Sequence, residues 1–163
     1  MGKRLAILAL SGLLLCGCGV EDTFETVSDE LVVAAVAPRR DIYVELPGEA
    51  ASPAVESDAG RLYLCGDYEI RVQILPGGDF GATVRSLTGF EPEDLTVIQT
   101  QREENDCYEF VFSCAGETGD QVGRGMIIDD MSWHYCLTVL SEAETAAQNQ
   151  AAWEEMFRSF RLS

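Results

Sequence analysis

Few side chains in this chain are equipped for chemistry. His134 is the single histidine among 163 residues. A lone imidazole cannot build a multi-histidine metal site, and as a general base it would need a nucleophile and an orienting acid beside it. No Gly-x-Ser-x-Gly elbow supplies that nucleophile. Of the six cysteines, Cys16 and Cys18 lie near the start, and Cys65, Cys107, Cys114 and Cys136 are spread through the body. None of the last four forms a Cys-x-x-Cys, so a zinc ribbon or thioredoxin-like centre is not expected. Cys107 and Cys114 fall at opposite ends of one expected strand, about 23 Å apart at 3.3 Å per residue, too far to bond to each other. Tight hairpins would set Cys136 two strands away, level with about Phe110, an easy partner for neither. Two disulfides, as an oxidising compartment would favour, and four buried thiols acting as small apolar groups are both open. Asp129 and Asp130, with Glu117 and Asp120 nearby, offer carboxylate oxygens that a calcium ion would accept. The spacing is not that of an EF-hand, and solvated turn acids are expected instead. Gly77-Gly78 matches no phosphate loop. No catalytic, cofactor-binding or metal-binding residue is expected.

The N-terminus reads as an address. Lys3 and Arg4 form a basic lead, and Leu5 to Leu15 an apolar stretch broken only by Ser11 and Gly12. A spanning helix needs about 20 apolar residues, so this stretch fits a signal-peptide core. It ends in Leu15-Cys16-Gly17-Cys18, which resembles the bacterial lipobox: leucine, a small residue, glycine, then the modified cysteine. The resemblance implies a lipoprotein signal peptide over residues 1–17, lipid on Cys18 and a short tether over residues 18–22. Cysteine in the second lipobox place is less usual than alanine or serine. Two other readings compete: a plain secretory signal cut near Gly19, and lipid on Cys16, which would put the large Leu15 next to the cleaved bond. Two or more acyl chains, at about 0.8 kcal/mol per buried methylene, anchor stably where one does not.

Charge narrows the partners. Acidic residues number 28 against 11 basic ones, a net charge of −17. Phosphate backbones need a basic stripe, so nucleic acid is excluded as a partner. No lysine follows Lys3. So acidic a body is repelled by anionic headgroups, and the lipid on Cys18 is expected to supply the whole attachment to the membrane. The acidity itself reads as solubility.

Residues 23–163 read as one domain, the size expected for a single core. Thr23 to Val27 has strand composition, and Leu31 to Ala37 could be a strand or a helical turn. Ile42, Val44 and Leu46 alternate as a strand, and Gly48 to Gly60 reads as a loop. Arg61 to Leu75 is a hairpin turning at Gly66-Asp67. It places Cys65 opposite Tyr68 and sets Tyr68, Ile70, Val72 and Ile74 on one face, with Glu69, Arg71 and Gln73 on the other. Asp79 caps a short helix whose Phe80, Thr83, Val84 and Leu87 share a side, with Gly89 as its stop. Four strands follow as a meander: Leu95 to Thr100, Cys107 to Cys114, Val122 to Ile128 and Trp133 to Leu140. A closing helix, with Ser141 and Glu144 at capping-box spacing or starting nearer Gln150, carries Trp153, Met156, Phe157 and Phe160 as one stripe. The stripe is expected to pack on the sheet, with Trp153 near the aromatic face of the meander. The class expected is α+β, an antiparallel sheet of about six strands with helices packed on it as an α/β/α sandwich.

The order from Tyr68 to Ser163 resembles the PsbP-like fold, shared by the photosystem extrinsic protein PsbP, the nuclear-transport factor Mog and many bacterial lipoproteins. The resemblance rests on the short helix after a hairpin strand and on the last meander strand, Trp133-His134-Tyr135-Cys136-Leu137-Thr138-Val139. It rests also on the closing helix with Trp153 and its ending Phe157-Arg158-Ser159-Phe160. Photosynthetic members dock through basic residues, and this chain has no lysine after Lys3, so nothing about photosystem or nuclear-transport binding carries over. The resemblance implies a non-enzymatic binding or assembly module, lipid-anchored on the extracytoplasmic face of a bacterial cell membrane. The alternative is an envelope-acting enzyme with an unrecognised active site.

Overall fold

The computed structural model describes residues 37–116 and 119–163. The signal segment, Cys16, Cys18, the tether, the strand expected over Thr23 to Val27 and Glu117 lie outside the described residues, as does Leu31 to Ala37 but for Ala37.

The elements run β1 (Ile42–Tyr43), β2 (Val55–Ser57), β3 (Gly60–Cys65), β4 (Tyr68–Pro76), α1 (Phe80–Thr88), β5 (Val97–Arg102), β6 (Asn105–Ala115), β7 (Asp120–Asp129), β8 (Trp133–Glu142), α2 (Ala143–Ser159) and β9 (Arg161–Leu162). Seven strands form one sheet in the order β2-β3-β4-β8-β7-β6-β5, and β1 pairs separately with β9. Every pairing is antiparallel. The meander β5 to β8 therefore folds back until β8 lies against β4, closing the hairpin and the meander into one surface.

Strand alternation gives that surface two apolar faces, and each helix covers one. On one face Ile70, Val72, Met126, Tyr135, Leu137 and Val139 meet Trp153, Met156 and Phe157 of α2. On the other, Phe110, Phe112, Ile127 and Cys136 meet Val84 and Leu87 of α1. The α/β/α layering follows, with seven strands in the sheet rather than about six.

Local chemistry accounts for most boundaries. Gly66 takes φ 61°, the conformation a two-residue hairpin needs at its first position, and Cys65 pairs with Tyr68 as the spacing requires. Asp79 caps α1 by accepting from the Ala82 amide at 2.8 Å, and Gly89 ends it at φ 81°. The departures are equally local. β2 lies inside the stretch read as a loop, because its three residues are all exposed and carry no alternation. Its pairing comes from the free edge of β3. β5 begins and ends later than expected because its turn is only Glu103-Glu104, both at positive φ, 50° and 68°. Asn105 supports it, its side-chain amide donating to the Glu103 carbonyl at 2.9 Å. No capping box forms: Ser141 is still in β8, where it pairs with Tyr68, and α2 starts at Ala143.

Trp153 is buried, but not beside the meander aromatics. Tyr108, Phe110 and Phe112 project toward α1, with Phe80 stacked on Tyr108 at 4.4 Å between centroids. Trp153 meets Tyr68 edge-on at 6.1 Å on the opposite face. Arg102, at the end of β5, donates to the Phe157 and Phe160 carbonyls at 2.9 and 2.5 Å. It thereby ties the far edge of the sheet to the negative end of α2.

Candidate functional site

The side of β8 that faces α1 carries a polar row: His134, Cys136 and Thr138. His134 is 1% exposed and shares a hydrogen bond of 2.7 Å between its Nδ1 and the Thr83 hydroxyl of α1. Its Nε2 stands 3.5 Å from Asp129 Oδ2. Hydroxyl, imidazole and carboxylate are thus in line, but Thr83 is itself buried under its helix. His134 lines neither the cleft under the last turn of α1 nor the hollow on the opposite face of the sheet.

A cavity of about 280 Å³ does open four positions further along the same strand, between the last turn of α1 and the sheet. Its floor follows from register. Arg71 of β4 stands opposite Thr138 of β8, and Glu69 opposite Leu140. Leu87 and Arg85 of α1 form the roof, and Phe112 a wall. Room for that wall comes from a missing side chain. Gly123 lies opposite Phe112, and a Cβ there would sit 2.2 Å from the ring.

The polar groups of this cleft are unevenly satisfied. Arg85 gives both Nε and Nη2 to Glu91. Arg71 gives Glu69 a single N–H, from Nη2. Thr138 is 3% exposed, and its hydroxyl has no hydrogen-bond partner among the described residues. A buried hydroxyl left unmade costs about 1–3 kcal/mol, so the cleft holds a standing demand for a polar atom. A larger hollow of about 420 Å³ on the other face makes no such demand. It is open between Ile98 and Val111, and its charged groups, Arg124 and Glu109, already bond to each other at 3.0 Å.

The acids near the β7–β8 turn are used by the turn. Asp130 Oδ1 accepts from the Ser132 and Trp133 amides at 3.0 and 2.7 Å, and Oδ2 from the Tyr135 hydroxyl at 3.0 Å. Asp129 Oδ1 accepts from the Met131 amide at 2.7 Å. Asp120 begins β7, apart from them. Among the described residues no group of three or more potential ligands could hold a metal ion.

Cys65, Cys107, Cys114 and Cys136 are all free thiols. Cys136 is two strands from Tyr108 rather than Phe110, since both pair with Ile127. Cys107 lies among the residues under α2 and Cys136 among those under α1, so the sheet itself separates them. Burial pushes the thiols of Cys65, Cys107 and Cys136 up, and a protonated thiol is a poor nucleophile. With Cys16 and Cys18 replaced by serine, Ellman's reagent will titrate Cys114 alone in the native chain at pH 8. The other three will react only on unfolding. Fast native reaction at Cys136 would contradict this packing.

No protein-family model matches the chain, and no curated protein matches it in sequence. Solved structures do resemble it. LpqN of Mycobacterium tuberculosis, involved in cell envelope biogenesis, is 12% identical with a TM-score of 0.51, over 77% of this chain and 84% of LpqN. A protein of Bacteroides thetaiotaomicron is also 12% identical at TM-score 0.51, over 75% of this chain. The match spans only 45% of the Bacteroides protein's length. Cyanobacterial PsbP from Synechocystis is 10% identical with a TM-score of 0.48, over 75% of this chain and 82% of its own. At such identities the first two likenesses are of fold.

Proposed function

We propose that this chain is a lipid-anchored, extracytoplasmic binding module of a bacterial cell envelope, non-enzymatic, with the cleft beneath α1 as its ligand site. The observation that carries the reading is the buried, unpartnered Thr138 hydroxyl opposite Arg71 in an open cleft. Ligand sites are concave and mostly apolar, with a few polar groups placed to orient the occupant, and this cleft has that composition. The basic lead, short apolar core and Leu15-Cys16-Gly17-Cys18 support anchoring through Cys18. The fold shared with LpqN, an envelope-biogenesis protein, fits an envelope setting. Among the described residues no helix is long and apolar enough to cross a membrane. The sole imidazole is engaged beneath α1 with a buried threonine, which favours binding over catalysis.

A small-molecule extract of bacterial envelopes is expected to raise the melting temperature of the chain by several degrees. It should leave Leu140→Trp, which fills the cleft from its floor, unmoved. Equal shifts in both proteins would place the ligand elsewhere, and no shift in either would remove the binding function.

A further inference from the structure

We propose that the cleft beneath α1 takes a small monocarboxylic acid with a short apolar body, its carboxylate held by Arg71 and Thr138. The proposal rests on the reading of this cleft as the ligand site. Directly opposed residues on adjacent antiparallel strands have Cβ atoms about 4.5–5.5 Å apart. Arg71 and Thr138 are such a pair, and both line the cleft, so a guanidinium and a hydroxyl rise from neighbouring positions of one floor. A guanidinium has five donors in a planar fork. Glu69 accepts one N–H from Nη2 of Arg71, which leaves the second Nη2 N–H, with the N–H parallel to it on Nε or Nη1, for a second acceptor. Two parallel N–H groups match the two oxygens of a carboxylate. The Thr138 hydroxyl, which has no partner among the described residues, then donates to the same group.

The surroundings limit the charge. Glu69 lines the cleft, Glu91 holds Arg85 above it, and the last turn of α1 presents the negative end of its dipole. A phosphate dianion would bring two charges to a Glu69–Arg71 pair that is already neutral, whereas a monocarboxylate brings one. The body of the ligand lies against Leu87, Phe112 and Leu140. At about 30 Å³ per water, the cavity of about 280 Å³ has space for roughly nine waters. That suits a short-chain or single-ring acid and not a full lipid tail.

The test uses the lipidated chain in nanodiscs, titrated with hexanoate and separately with hexan-1-ol, following the NMR methyl signals of Leu87 and Leu140. Hexanoate is expected to shift both signals saturably, with at least tenfold higher affinity than the alcohol, because a hydrogen bond to a charged group is at stake. Arg71→Gln should lower hexanoate affinity at least tenfold. Thr138→Val should lower it severalfold or more while leaving the ligand-free melting temperature equal or higher, since it removes an unpartnered hydroxyl at nearly equal volume. Equal affinities for the acid and the alcohol would overturn the carboxylate proposal and leave the cleft as a binding site. Saturable binding of neither would overturn the proposal together with the reading beneath it. Unchanged hexanoate affinity in both variants would overturn the assignment to Arg71 and Thr138.

Discussion

Phe157→Ala will unfold at markedly lower denaturant than the parent chain. Phe157 is 1% exposed at the centre of the α2 stripe, and Arg124 lies over its ring at 4.4 Å. Truncating such a side chain removes its apolar burial and leaves a cavity that the neighbouring sheet cannot close, a loss of about 3–5 kcal/mol. A domain of this size is stable by about 5–15 kcal/mol in all, so a large part of the margin goes. Glu154→Ala, on the solvent side of the same helix, should change stability by less than about 0.5 kcal/mol. Urea titrations of the two variants measure the contrast. Equal stability of Phe157→Ala and the parent would mean that α2 does not cover the sheet.

Gly125→Ala is the second large loss expected, and it comes from the opposite face. Gly125 of β7 lies opposite Phe110 of β6, and a Cβ there would stand 2.3 Å from the ring. Glycine inside a strand marks such close approach. Phe110 is buried against α1, so one methyl group forces the ring off its rotamer and the helix off the sheet. Overpacking of this kind costs about 1–3 kcal/mol. Gly48→Ala is the control, since a Cβ there meets nothing within 4 Å. A Gly125→Ala chain as stable as Gly48→Ala would show that the ring does not lie across β7. Gly123 and Phe112 repeat the arrangement one step along, so the packing device that shapes the core of this face also builds a wall of the cleft.

The fold was legible wherever one residue determines a local outcome. Gly66-Asp67 fixed the register of β3 and β4, Asp79 and Gly89 bounded α1, and the stripe of Trp153, Met156, Phe157 and Phe160 marked the buried side of α2. What could not be read depended on partners remote in sequence. β2 has no buried face to leave a period in its residues. The face that Trp153 would choose was not set by its own helix, because both faces of the sheet are apolar and the meander aromatics are covered by α1. The cleft was hidden for the same reason. Alternation put Arg71 on the less apolar side of its strand, and Thr138 looked like any strand threonine. Only the pairing of β4 with β8 sets them side by side, and no short-range signal encodes that pairing.

Attachment of the chain to an envelope membrane is proposed to run through lipid on Cys18. The direct measurement is incorporation of labelled palmitate in a bacterial host by the parent chain, Cys16→Ala and Cys18→Ala. Label is expected on the parent and on Cys16→Ala, and none on Cys18→Ala. Undiminished label on Cys18→Ala, or none on the parent, would contradict it.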